Sequence, residues 1–93
     1  MTDDLNELQP ESALPEADFI RLFARHELEL RNYARLILPD WSYVDDALQD
    51  ASVTMWENRA KLRDESGFLP WAKVIVRTRC FNVIAKLRRD RLV

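Results

Sequence analysis

Three polar side chains in the stretch Tyr43–Trp56 share one helical face. Asp46, Gln49 and Asp50 stand at i, i+3 and i+4, the spacing that makes helix-surface neighbours. Two carboxylates and an amide concentrate negative charge and hydrogen-bond acceptors, and no base inside the stretch neutralises them. Such a face is either simply solvated or meets a basic partner.

A second group combines bases with aromatic rings: Arg59, Lys61, Arg63, Phe68, Trp71, Lys73, Arg77, Arg79, Phe81, Lys86, Arg88 and Arg89. Bases neutralise phosphates, and aromatic faces stack on unpaired nucleobases for roughly 1–3 kcal/mol each. The competing reading puts Phe68, Trp71 and Phe81 in the core and leaves the bases as a solvated face. Asn82 adds an amide that can hydrogen-bond a base edge or the backbone.

Chemistry of other kinds finds little support. The single histidine, His26, falls on the apolar stripe of a helix and reads as a packed side chain rather than a general base. Cys80 reads as a core thiol, with no second cysteine or nearby histidine in sequence to activate it. The sequence has no Gly-rich phosphate loop and no HExxH or Cys/His metal spacing. Asp45, Asp46 and Asp50 on one helix offer too few convergent oxygens for a cation. Neither an enzyme nor a cofactor is expected.

Three helices must position these groups. The first is expected over about Glu16–Leu38, burying Phe19, Leu22, Phe23, His26, Leu30, Tyr33, Ala34 and Ile37, and stopped by Pro39. The second runs from Tyr43 to about Arg59, with Ser42 and Asp45 resembling a capping box and Val44, Ala47, Leu48, Ala51 and Met55 facing inward. Residues 59–70 read as an exposed loop. The third helix starts near Leu69–Trp71 with Pro70 in its first turn and runs to about Arg89. Ala72, Ile75, Val76, Cys80, Val83, Ile84 and Leu87 can face the core. The expected fold is all-α, a small antiparallel bundle of three long helices over residues 16–93. A flexible acidic leader over residues 1–15 precedes it, with a short helical turn around Asp4–Leu8.

Composition agrees: 47% hydrophobic and 32% charged residues with one glycine suit an ordered helical domain. The net charge of −2 conceals a split. Residues 1–57 hold 13 acids and 4 bases, a difference of −9, and residues 58–93 hold 3 acids and 10 bases, a difference of +7. Halves of opposite sign point to partners of opposite sign. No run approaches the roughly 18 apolar residues of a membrane span. A lone cysteine and an acidic start without an apolar core suit a cytoplasmic protein.

The order FIRLFARHELELRNYARLIL, YVDDALQDASVTMWEN and GFLPWAKVIVRTRCFNVIAKLRR resembles region two of bacterial sigma factors over about residues 17–90. It is most similar to the extracytoplasmic-function class, in variants common in planctomycetes. The acid two before Leu48, the Gln49-Asp50 pair, Trp56 seven after Gln49, and the later Phe68-x-x-Trp71 carry the resemblance.

That resemblance implies a domain that binds the RNA polymerase core at the clamp helices of its β′ subunit. It also implies recognition and melting of the promoter −10 element in transcription initiation. The clamp contact falls on positions matching Asp46, Gln49 and Asp50. The loop matching Arg59–Pro70 captures a flipped non-template base, Trp71 matches a tryptophan that supports strand separation, and the bases of the third helix track the DNA backbone. DNA-binding candidates are thus Arg59, Lys61, Arg63, Phe68, Trp71, Lys73, Arg77, Arg79, Asn82, Lys86, Arg88 and Arg89. Thr78 stands where the family often has Asn, and Asn82 where it often has Asp. The chain is expected to be a monomer when free and to make no membrane contact, and an anti-sigma factor is a candidate further partner. The alternative reading is a helical interaction module that binds polymerase or an anti-sigma partner without DNA affinity.

Overall fold

The computed structural model describes residues 14–91. The expected leader and its short helical turn fall almost wholly outside them. Three helices are present: α1 (Glu16–Ile37), α2 (Trp41–Glu57) and α3 (Phe68–Arg91). Each packs against the other two, and no strand occurs among the described residues. The all-α bundle read from the pattern is the observed architecture.

α1 ends where proline dictates. Leu38 takes an extended conformation (φ −99°, ψ 149°), which Pro39 favours in the residue before it. The Leu38 side chain turns back into the core and is buried.

α2 starts two residues before the expected position. Its cap is Asp40, not Ser42. The Asp40 backbone is extended (φ −153°, ψ 171°), and its carboxylate accepts hydrogen bonds from the Ser42 and Tyr43 amides at 3.0 and 3.2 Å. Ser42 lies inside the first turn and donates its hydroxyl to the same carboxylate at 2.5 Å. Asp45 does not complete a capping box, because it is engaged by Arg31 of α1.

The connection over residues 58–67 is not the open loop expected. It folds into two 3₁₀ turns, Arg59–Lys61 and Glu65–Gly67, and Leu62 between them is buried. Asp64 caps the second turn by accepting from the Ser66 and Gly67 amides at 2.9 and 3.3 Å. α3 follows directly, so Phe68 is its first residue and Pro70 sits in its first turn, where a missing N–H costs nothing.

Hydrogen bonds hold both capping carboxyls below the usual carboxylate range, led in each case by the serine hydroxyl, Ser42 for Asp40 and Ser66 for Asp64. A depressed folded-state pKa stabilises the fold above the unfolded value and is lost as pH falls through the folded value. The bundle is therefore expected to lose stability as pH drops below about 4. Asp40→Ala should lower Tm by several degrees at pH 7 and flatten this acid dependence, whereas Asp40→Asn keeps an acceptor and recovers part of the loss. Thermal melts by circular dichroism across pH 3–7 check this, and an Asp40→Ala variant with unchanged acid dependence would exclude the cap as a source.

The core lies where the three helices meet. Every residue read as the apolar stripe of α2 is buried: Val44, Ala47, Leu48, Ala51 and Met55. Phe19, Leu22, Leu30 and Ala34 come from α1, and Phe68, Ala72, Val76 and Cys80 from α3. Alanines at these contacts let helix axes approach closely. A chain of aromatic contacts links the three helices. Phe19 meets Trp56 and Phe68 edge-on, with centroids 5.5 and 6.2 Å apart. His26 stacks on Phe68 at 5.5 Å, and Trp71 lies 6.0 Å from the same ring.

Candidate functional site

Two surfaces emerge, and each differs in part from its sequence expectation. On α2, Asp46, Gln49 and Asp50 are all exposed. The structure separates them from their neighbour Asp45, which pairs with Arg31; Arg31 also holds Glu27 at 3.2 Å. The Asp45 and Glu27 side chains raise the pKa of Arg31. Asp46 and Asp50 make no ion pair among the described residues, so their carboxylates stay exposed and unpaired. Val53, absent from the sequence reading of this face, joins it. It stands at i+4 from Gln49 and i+3 from Asp50, and is 54% exposed. The same spacing rule that grouped the acids would have found it.

The basic candidates divide into three groups. Lys61, Arg63, Arg77, Arg88 and Arg89 are exposed and make no side-chain hydrogen bond or ion pair among the described residues. Others are tied to the fold. Arg59 lies over the Trp56 ring at 3.9 Å, donates to the Trp56 carbonyl at 2.8 Å, and approaches Glu16 at 3.6 Å. Lys73 pairs with Glu29 at 3.2 Å and sits 5.5 Å from the centre of the Tyr33 ring. Arg59 and Lys73 thus anchor the connection and α3 to their neighbours. The third group, Arg79, Asn82 and Lys86, faces α2.

Phe68 requires a correction. It is wholly buried, so its ring cannot stack on a nucleobase in the folded domain. Trp71 is half-buried and remains partly accessible. The large hydrophobic side chains exposed on α3 are Val74 and Phe81, at 55% and 54%. With Arg77, Thr78 and Arg88 they form one stripe at spacings of three, four and seven. The basic face therefore has its aromatic member, but it is Phe81 and not Phe68.

Arg79, Asn82 and Lys86 line a groove of about 520 Å³ together with Tyr43, Asp46, Gln49 and Asp50. They face the acidic surface rather than the stripe of Val74 and Phe81. Cys80 is buried, and burial pushes its thiol pKa up, which disfavours the nucleophilic thiolate. Among the described residues no cluster of His, Cys, Asp and Glu is arranged to hold a metal, and no helix is long and apolar enough to cross a membrane.

The bundle thus presents two surfaces of different chemistry, an acidic face on α2 and a basic, aromatic-bearing face on α3. The sequence matches the family model for sigma-70 region 2 over residues 22–90, and the chain belongs to that family. Region 2 domains serve transcription initiation, binding the RNA polymerase core and recognising the promoter −10 element. No curated protein and no solved structure matches the chain.

Proposed function

We propose that this chain is the region two domain of an extracytoplasmic-function sigma factor, with its two duties on separate faces. Asp46, Gln49, Asp50 and Val53 contact the clamp helices of the polymerase β′ subunit. Lys61, Arg63, Trp71, Arg77, Phe81, Arg88 and Arg89 contact the non-template strand of the −10 element. The observation that carries this reading is the exposure of Asp46 and Asp50 with no ion pair among the described residues, beside an Asp45 that has one.

The basic face suits a single strand. Phe81 offers a flat apolar ring between Arg77 and Arg88, so a base can stack while neighbouring phosphates are neutralised. Flipping a base costs a few kcal/mol of unstacking, which such contacts offset. The chain is expected to co-elute with RNA polymerase core in gel filtration and to bind a labelled −10 non-template strand with strong salt dependence. Phe81→Ala should weaken strand binding by about tenfold. Arg77→Ala should weaken it and reduce the slope against log salt by about 0.7. A chain that binds core but ignores DNA would instead be an interaction module, which an anti-sigma protein would also fit. A chain that binds neither would remove the reading.

A further inference from the structure

The groove between α2 and α3 carries opposite charges on its two walls. Asp46 and Asp50 stand on the α2 wall, Arg79 and Lys86 on the α3 wall, and Tyr43, Val83 and Leu87 supply apolar surface between them. Among the described residues no ion pair closes across it. Arg79 is held in place instead. It donates to Thr54 Oγ1 at 2.7 Å, and Thr54 Oγ1 donates to the Asp50 carbonyl at 3.2 Å. This path fixes α3 to the turn of α2 that bears Asp50. Lys86 is exposed and makes no side-chain hydrogen bond or ion pair among the described residues.

Two features argue against a phosphate in this groove. Lys86 lies about 140° around the helix from Phe81, so a strand tracking Val74 and Phe81 runs along a different face. Three carboxylates also line the groove, those of Asp46, Asp50 and Asp90, and they repel a polyanion. A polypeptide bearing both signs meets neither objection. Its bases would satisfy the α2 wall, its acid would satisfy Lys86, and its apolar side chains would cover Tyr43, Val83 and Leu87.

We propose that the α2–α3 groove extends the polymerase-binding surface, and that it seats a partner helix whose basic side faces Asp46 and Asp50 and whose acidic side chain pairs with Lys86. Lys86 is then a polymerase contact rather than a phosphate contact, and Arg79 is a positioning residue that sets the depth of the slot. This rests on the reading of the acidic face as the polymerase site.

The test titrates the full chain with RNA polymerase core and, separately, with a short DNA single strand of mixed sequence. Lys86→Glu should weaken core binding by about tenfold and leave strand binding within about twofold. Lys86→Gln should weaken core binding by about threefold, and Lys86→Arg should restore it. Circular dichroism confirms that each variant is folded, and the Gln variant stands in if the Glu variant is not. Weakened strand binding with core binding intact overturns the proposal, as does a similar loss in both or no loss in either. Asp46→Lys in parallel separates the two levels. If it abolishes core binding while Lys86→Glu does not, only the groove assignment fails. If neither changes core binding, the polymerase reading of the acidic face fails with it.

Discussion

Phe68→Ala is expected to bring the domain close to unfolding at ambient temperature. The Phe68 ring is wholly buried and touches Phe19, His26 and Trp71 at centroid distances of 6.2, 5.5 and 6.0 Å. Truncating a buried phenylalanine costs about 3–5 kcal/mol, in transfer free energy and in the cavity left behind. A small domain holds only about 5–15 kcal/mol in total. At about 4–8 °C per kcal/mol, Tm should fall by roughly 12–40 °C. Collapse cannot heal the cavity easily, because three helices meet there and the neighbouring rings are anchored on two of them. Phe68→Leu should lose much less. The melt followed by circular dichroism is decisive. If Phe68→Ala keeps its Tm within a few degrees but loses strand binding, then Phe68 is a DNA contact after all and the burial argument is wrong.

Phe68 also shows where sequence reasoning ran short. Within RAKLRDESGFLP it looked like a loop aromatic among bases, the composition expected of a nucleic-acid contact. The missed signal was Asp64-x-Ser66-Gly67, a capping acid two residues before a serine. Read as a cap, it would have placed Phe68 at a helix start, in register with Ala72, Val76 and Cys80. The buried stripe of α2 was legible in full because a 3.6-residue period needs no tertiary information. The cap of α2 was misplaced for a local reason: both Asp40 and Ser42 are good capping residues, and the extended backbone after Pro39 decided for Asp40. The groove had no sequence signature at all. Arg79, Asn82 and Lys86 read as members of one basic helix, and only the packing of α3 on α2 shows that they face Asp46 and Asp50. A charge count by halves therefore separates the acids from the bases but carries no information on which bases of α3 face α2.

Charge reversal on the acidic face should have the largest effect on function. Asp46→Lys with Asp50→Lys is expected to reduce affinity for RNA polymerase core by a factor of about a hundred or more. Removing one exposed ion pair is worth only about 0.2–1 kcal/mol, so the neutral Asp46→Asn should weaken binding by a few-fold at most. Reversal is different in kind. It replaces attraction by like-charge contact with a basic partner, which costs several kcal/mol, and each 1.4 kcal/mol is a factor of ten. It should also slow association, since long-range steering changes sign. Salt then distinguishes the variants: wild-type affinity falls as ionic strength rises, and the reversed variant's residual affinity does not. Stability should stay within about 0.5 kcal/mol, because both side chains are exposed and make no ion pair among the described residues. Asp45→Asn is the internal control. It removes the same charge from the adjacent position, but that carboxylate is engaged by Arg31 and takes no part in the outer face. Core binding by Asp45→Asn should match wild type within about twofold. If the two positions behave alike, net charge alone governs the interaction and the face has no geometry. If the reversed variant still binds core as wild type does, then α2 is a solvated helix and the partner lies elsewhere on the domain.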